Sequence, residues 1–459
     1  MTKNFKDFKL NESLLINLEE LNFKSMTPVQ EMSLPHVLDG KDVLAQAKTG
    51  SGKTAAFGLG ILNQLDLSRM SIQSLVLCPT RELAEQVAKE LRTLARMQKN
   101  VKVLTICGGM AQIHQENSLA HGAHIIVGTP GRVLRLIKCK ALQLHRVETL
   151  VLDEADKMLD MGFYDDILTI REELVEDIQT LLFSATFPDE IKSLSKDLQE
   201  DAIEVTIDVE HDSSSIDQAF FEMNDHQQKN QALIKILANY KPERLIVFCK
   251  TKVITDNVAK LLNKEGILAC AIHGDLEQNE RTSVLTKFSN RSLSVLVATD
   301  VAARGLDIKD LEAVINFDLP NNAESYVHRI GRTARAGKNG QAFSLFTRKD
   351  LYILDDIEEL TNLKCNIENI DDLSDEKTYD LSPPMKTMFI AGGKKSKLRP
   401  GDILGALVGE AGIAATDVGN ISILNVVSFV AIKSELIDST IQKLQNGKIK
   451  NKKFRVGLA

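Results

Sequence analysis

The sequence predicts an α/β protein built from two tandem lobes, each a parallel sheet wrapped by helices, followed by a small α+β unit of ferredoxin-like topology. Three observations carry this. Short apolar runs recur along roughly the first 350 residues, and each passes at once into polar or glycine-rich residues. Amphipathic helical stretches lie between those runs, the alternation expected of a parallel sheet with its ligand groups at the strands' carboxyl ends. The last part of the chain reads β-α-β-β-α-β.

Residues 10–38 have helical character, interrupted at Met26-Thr27-Pro28-Val29-Gln30 by a turn and a restart. The Gln30 amide presents a donor and an acceptor together, the pair that reads an adenine edge. Phe5 or Phe23 could stack on a purine face. The segment Ala47-Lys48-Thr49-Gly50-Ser51-Gly52-Lys53-Thr54 is a phosphate cradle. Its small residues let backbone N–H groups wrap a triphosphate, Lys53 supplies a cation, and the Thr54 hydroxyl can ligand Mg²⁺.

Apolar runs then follow at 75–78, leading to Pro79-Thr80-Arg81; at 103–106, leading to Gly108-Gly109; and at 125–127, leading to Thr129-Pro130-Gly131-Arg132. Between the first two, Leu83, Val87, Leu91 and Leu94 recur at the spacing of one helix face. The run 149–152 delivers Asp153-Glu154-Ala155-Asp156, and 180–183 delivers Ser184-Ala185-Thr186. Asp153 can hold the same Mg²⁺ while Glu154 polarises an attacking water. A cradle followed by a strand-borne acid pair marks an ATP-handling protein.

A polar stretch near 205–218 reads as a linker. The rhythm resumes with strands at 245–249, 296–298, 313–317 and 342–346, without a second cradle. This half carries His273-Gly274-Asp275, Gln278 with Arg281, Thr299 and Asp307, then His328-Arg329-Ile330-Gly331-Arg332-Thr333-Ala334-Arg335. Cations packed this closely imply an anion among them. Residues 366–385 are acidic and contain Pro383-Pro384, as a linker should. The expected strands beyond it are 386–391, 421–424, 427–432 and 450–458, with helices over 400–408 and 434–445. The domain boundaries are therefore 1–208, 209–365, the linker 366–385, and 386–459.

At 459 residues, with 43% apolar and 26% charged residues, the totals suit a globular protein of about three domains. No apolar run is long enough for a membrane span, and the N-terminus lacks the apolar core of a signal peptide, so a cytoplasmic location is expected. The six cysteines are scattered without ligand spacing, which argues against zinc. The net charge of −7 hides an asymmetry: residues 386–459 hold 12 basic and 5 acidic residues, and the rest hold 44 and 58. A basic terminal unit on an acidic body points to a nucleic-acid contact at that end.

Together these motifs resemble those of the DEAD-box RNA helicases, over residues 5 to about 350. The resemblance includes the glutamine motif at Phe23–Gln30 with Phe5 upstream, Asn22 standing where glycine is usual. The name motif is spelled Asp153-Glu154-Ala155-Asp156, and Ala334 replaces a common glycine, a change compatible with a negative φ. The resemblance implies a motor of two RecA-like lobes of the P-loop NTPase, superfamily 2 type, with ATP and RNA bound across the cleft. It implies that Gln30 and Phe5 select adenine, that the cradle residues, Lys53 and Thr54 hold phosphates and Mg²⁺, and that Asp153 contacts the metal through water. Glu154 would be the base, Arg332 and Arg335 arginine fingers, and Asp307 a ribose contact. Ser184, Thr186 and His328 would couple the lobes. Pro79, Thr80, Arg81, Gly109, Thr129, Pro130, Gly131, Arg132, Arg281 and Thr299 would grip the RNA backbone, prying short duplexes apart locally without translocation.

The segment 387–407 resembles the C-terminal RNA-binding domain of DbpA-type helicases, an RRM-like fold. That likeness implies a 23S rRNA hairpin near the peptidyl-transferase centre as partner, in pre-50S particles; nothing in the sequence demands a dimer, so a monomer is expected. Phe389 and Phe429 are available for stacking, but Asn425-Val426-Val427-Ser428 replaces most of the usual aromatic-glycine motif. The expected contacts are Lys394, Lys395, Lys397, Arg399, Lys448, Lys450, Lys452 and Lys453. Other readings are a motor for mRNA decay or cold-stress unwinding, and an ATP-locked RNA clamp, against which the intact Glu154, Arg332 and Arg335 speak.

Overall fold

The computed structural model describes residues 4–47, 50–207, 216–303, 311–334, 339–374 and 381–459. The chain divides into two compact units that meet in sequence near residue 210. The first unit holds one parallel sheet: β1 (Val43–Gln46), β2 (Ser74–Leu77), β3 (Val103–Ile106), β4 (Ile125–Gly128), β5 (Thr149–Asp153), β6 (Gln179–Ser184) and β7 (Ile203–Thr206). Their order is β3-β4-β2-β5-β6-β1-β7, every pairing parallel.

β2, β4, β5 and β6 are buried along their whole length, because helices cover both faces of the sheet. That is why they read as unbroken apolar runs. The helix Arg81–Leu94 starts where the Thr80 hydroxyl accepts a hydrogen bond from the Leu83 N–H at 3.3 Å, and it buries Leu83, Val87, Leu91 and Leu94 as their spacing requires. The strand order sorts the carboxyl edge. β5, β6 and β1 bring the acids, the Ser184 segment and the cradle to one half, while β2, β4 and β3 bring Pro79–Arg81, Thr129–Arg132 and Gly108-Gly109 to the other.

The second unit contains a second parallel sheet: β8 (Ile216–Glu222), β9 (Leu245–Phe248), β10 (Ala269–Ile272), β11 (Val295–Ala298), β12 (Ala313–Asn316), β13 (Gly340–Phe346) and β14 (Ile367–Glu368). Its order, β10-β11-β9-β12-β13-β8-β14, repeats the first sheet with every strand advanced by seven. The expected linker at 205–218 overlaps β7 at one end and β8 at the other; residues 208–215 between them lie outside the described residues.

A third, antiparallel sheet closes the chain: β15 (Met385–Ile390), β16 (Val418–Ile423), β17 (Ser428–Lys433) and β18 (Val456–Leu458), in the order β16-β17-β15-β18. The helices Pro400–Gly409 and Ile437–Asn446 cover one face, over a core that includes Met388, Ile390, Ile403, Leu407, Val430, Ile432 and Leu444. The strand expected over 450–458 is shorter, because Lys450 and Asn451 adopt left-handed backbone (φ 52° and 63°) in a turn that no extended chain can contain.

The acidic stretch 366–385 is stitched to the second sheet where it is described. β14 pairs with β8, Ile370 and Leu381 enter the second sheet's core, and Asn239 and Ser374 exchange hydrogen bonds of 2.9 and 3.1 Å. Beyond it, the Thr387 hydroxyl meets Asn290 Nδ2 at 3.1 Å and Ser292 Oγ at 2.6 Å. No helix among the described residues is long and apolar enough to cross a membrane.

Candidate functional site

The cradle begins where β1 ends. Ala47 N–H donates to the Ser184 carbonyl at 2.9 Å, and the chain turns through Gly50 and Gly52 into the helix Lys53–Gln64. Gly50 and Gly52 have φ of 85° and 93°, which side-chain-bearing residues rarely adopt. A Cβ on Gly52 would lie 2.4 Å from Gln30 Nε2. Lys53 is buried, and its Nζ has no hydrogen-bond partner among the described residues. A buried, unsatisfied ammonium at a helix N-terminus fits a bound polyphosphate. Lys48 and Thr49 lie outside the described residues.

Gln30 links its own segment to this turn. Its Oε1 accepts from the Thr27 N–H at 2.9 Å and its Nε2 donates to the Gly52 carbonyl at 3.1 Å. Phe5 differs from expectation: its ring is buried in the core at 2% exposure, edge-on to Phe23 with centroids 6.1 Å apart. It therefore supports Phe23, the half-exposed ring of the two, and is closed to stacking itself. Asn22 takes φ 59°, the left-handed conformation that asparagine tolerates where glycine is usual.

β5 ends on Asp153, and Glu154 follows with a left-handed φ of 56° as the cap of the helix Ala155–Asp160. Both carboxylates are buried. Burial pushes the Asp153 pKa up to about 6; the Lys53 and Lys157 charges oppose the rise and Glu154 adds to it. Asp153 Oδ1 has no hydrogen-bond partner among the described residues, so a hard cation suits it. Asp156 is fully engaged: its Oδ2 accepts from the backbone N–H groups of Ala185 (3.2 Å) and Thr186 (3.3 Å) and from the Thr186 hydroxyl (3.3 Å). Ser184 Oγ donates to the Thr186 carbonyl at 2.7 Å.

On the other half of this edge, the Arg81 guanidinium lies so close to Gly108 and Gly109 that a Cβ on Gly109 would sit 1.9 Å from Nη1. Arg132 Nη1 donates to the Met110 carbonyl at 3.2 Å and to Gln115 Oε1 at 2.9 Å, holding the same turn. Thr80 and Pro130 are buried at helix starts. Thr129 caps the helix Pro130–Lys138, whose first turn contains Gly131.

The second unit keeps the topology and changes the chemistry. After β8, the equivalent of β1, the chain enters a helix capped by Asp225 in place of a glycine cradle. After β9, the equivalent of β2, comes Lys250-Thr251-Lys252, with the Thr251 hydroxyl accepting from Ile254 N–H at 3.3 Å as Thr80 does from Leu83. Sequence reading passed over these residues, although Cys249-Lys250-Thr251-Lys252 repeats the pattern of Cys78-Pro79-Thr80-Arg81. Arg281 lies near the His273 and Ala302 carbonyls, each at 3.5 Å, and Thr299 follows β11.

The expected anion among the 328–335 cations is, for Arg329, a side chain. Its guanidinium is buried, holds Asp300 in a two-point pair at 2.7 Å, and donates to Asn316 Oδ1 at 3.0 Å and the Asp318 carbonyl at 2.7 Å. Arg332 is buried and His328 half-buried. Ala334 contradicts the expected negative φ: it sits at 55°. Asp307 and Arg335 lie outside the described residues.

In the terminal sheet, Phe389 and Phe429 face each other across β15 and β17, but Phe429 is buried, and Thr387 on the same face is taken up by Asn290 and Ser292. The exposed lysines cluster instead at one edge. Lys394 and Lys395 donate their backbone N–H groups to Leu424 and Asn425, at 2.8 and 2.9 Å. Lys450 Nζ bridges the two basic segments by donating to the Lys397 carbonyl at 2.9 Å and pairing with Asp402 at 3.0 Å. Lys394, Lys395, Lys397, Arg399, Lys448, Lys450, Lys452 and Lys453 are all exposed.

Three stretches of the chain match known protein families. Residues 27–194 match the DEAD/DEAH box helicase family, 228–337 the helicase conserved C-terminal domain, and 387–458 the DbpA RNA binding domain. The chain is 48% identical to the ATP-dependent RNA helicase DbpA of Escherichia coli, covering 97% of this chain and 96% of that protein. It is 46% identical to the DEAD-box ATP-dependent RNA helicase CshA of Bacillus cereus, covering 78% of this chain and 68% of that one. Among solved structures it resembles Saccharomyces cerevisiae Dbp5 bound to RNA and ADP BeF3, with a TM-score of 0.74 and 31% identity over 81% of this chain and 96% of that one.

Proposed function

The chain belongs to the DEAD-box ATP-dependent RNA helicases, with a DbpA-type RNA-binding domain, and on that premise we propose that it remodels large-subunit ribosomal RNA during assembly. Its C-terminal domain docks on a 23S rRNA hairpin in pre-50S particles, and the motor then separates short neighbouring duplexes. The supporting observation is the basic edge of the terminal domain, where two segments distant in sequence are tied together by Lys450 and present lysines on one side of a +7 unit. Phosphates of a folded RNA suit such an edge better than bases stacked on a sheet whose Phe429 is buried.

In the motor, cradle N–H groups and Lys53 bind the triphosphate. Thr54 and Asp153 would hold Mg²⁺, which offsets phosphate charge when bound. Glu154 orients the attacking water and accepts its proton. Arg332 and Arg335 offset charge developing on the transferred phosphoryl group, a contribution worth roughly 10³ or more in rate. Arg332 belongs to a different compact unit from Lys53 and Glu154, so turnover waits on the RNA that engages both. The test is ATPase activity titrated with hairpin fragments of large-subunit rRNA and with random RNA. Half-maximal stimulation is expected at a roughly tenfold lower concentration of the hairpin; equal stimulation rejects the ribosomal target.

A further inference from the structure

Lys157 is a buried charge beside the proposed base to which the mechanism gives no task. It lies one turn beyond Glu154 on the helix Ala155–Asp160, is 5% exposed, and its Nζ is 2.8 Å from Glu154 Oε2, itself on a residue 2% exposed. Two charges removed from water in this way cost more than a pair of apolar side chains filling the same space, so stability alone does not account for them. The backbone of Lys157 is anchored on the other side: its N–H donates to Asp156 Oδ1 at 2.9 Å, while Asp156 Oδ2 holds Ala185 and Thr186. A chain of contacts therefore runs from the Ser184-Ala185-Thr186 segment through Asp156 and Lys157 to the Glu154 carboxylate.

A glutamate side chain has three rotatable bonds, and Glu154 leaves its strand through left-handed backbone. The contact with Lys157 restricts where its carboxylate sits. We infer that Lys157 is a positioning residue, which holds the Glu154 carboxylate in place for the attacking water. The inference rests on Glu154 being the base proposed above, and it adds the group that aims it.

The measurement is single-turnover ATP hydrolysis by the full chain at saturating Mg-ATP and RNA, together with affinity for a fluorescent ATP analogue. Lys157→Met should hydrolyse roughly 10- to 100-fold more slowly, the range expected when a reacting group is misplaced, with nucleotide affinity within twofold. Lys157→Arg, which keeps the charge, should recover most of the loss. In a Glu154→Gln background, Lys157→Met should cost nothing further, because its effect passes through that carboxylate. Hydrolysis by Lys157→Met within twofold of the parent overturns the inference, and so does an equal loss in the Glu154→Gln background. Should Lys157→Met not fold, Lys157→Gln takes its place with the same outcomes; misfolding of both assigns Lys157 to the fold and overturns the inference. Near-parent turnover by Glu154→Gln removes the underlying assignment of the base instead, and is read separately.

Discussion

Replacing Gly52 with alanine tests whether the nucleotide cradle and the Gln30 segment work as one structure. The new Cβ would stand 2.4 Å from Gln30 Nε2 and 3.0 Å from Thr27 Oγ1, at a φ of 93°. Gln30 cannot swing aside cheaply, because its amide is held between the Thr27 N–H and the Gly52 carbonyl. Forcing an L-residue into left-handed backbone costs about 1–2 kcal/mol. Giving up the Gln30 hydrogen bond adds about 1 kcal/mol. If the resulting 2–3 kcal/mol is expressed wholly in ligand affinity, ATP binding weakens by roughly 30- to 150-fold. Titration with a fluorescent ATP analogue reads this directly. Gly401→Ala is the control, since a Cβ there meets nothing within 4 Å and its φ is not left-handed. An affinity for Gly52→Ala within threefold of the parent would refute the reasoning.

Ala334→Gly removes left-handed strain and should stabilise the protein by about 1 kcal/mol, read as a rise of a few degrees in the melting transition; a fall would mean that glycine's greater backbone entropy outweighs the strain. Asn17 is fully buried and donates to the Thr93 and Leu94 carbonyls at 2.9 and 2.7 Å, so Asn17→Leu should cost about 1–3 kcal/mol in chemical denaturation. Lys395→Ala with Lys397→Ala should weaken binding of an rRNA hairpin and lower its salt slope by about 1.5; unchanged binding would point to another surface. Lys450→Ala should also loosen the basic edge itself, because it removes the bridge to Lys397.

The plainest parts of the fold in the chain were the strands buried on both sides. β2, β4, β5 and β6 are central strands, so their composition is apolar throughout and each ends abruptly in its ligand-bearing turn. β7 and β14 lie at sheet edges with mixed exposure, and neither stands out as an apolar run; β10, also at an edge, does lie in an apolar run, 267–272, but its small alanine and cysteine residues make it less conspicuous than the Val/Ile/Leu-rich central strands. β1 is central but ends in glutamine, which hid it beside the more prominent cradle.

At the site, residue type and order identified the cradle and acids, because their chemistry is local. Partners distant in sequence were not legible. Nothing near Arg329 announces that Asp300 neutralises it, and nothing near Phe5 announces that its ring is enclosed by the core. The left-handed φ of Ala334 belongs with these: it follows Thr333, which bridges to Leu311, a partner distant in sequence. The basic edge was visible as charge but not as geometry until the turn at 448–453 folded back against Lys397.

The most direct test of the central claim is the steady-state ATPase rate of the full chain at saturating Mg-ATP, with and without RNA. A rate that is at least roughly tenfold higher with RNA, and that Glu154→Gln abolishes while ATP binding persists, is the predicted result. Full-speed hydrolysis with no RNA present would contradict it.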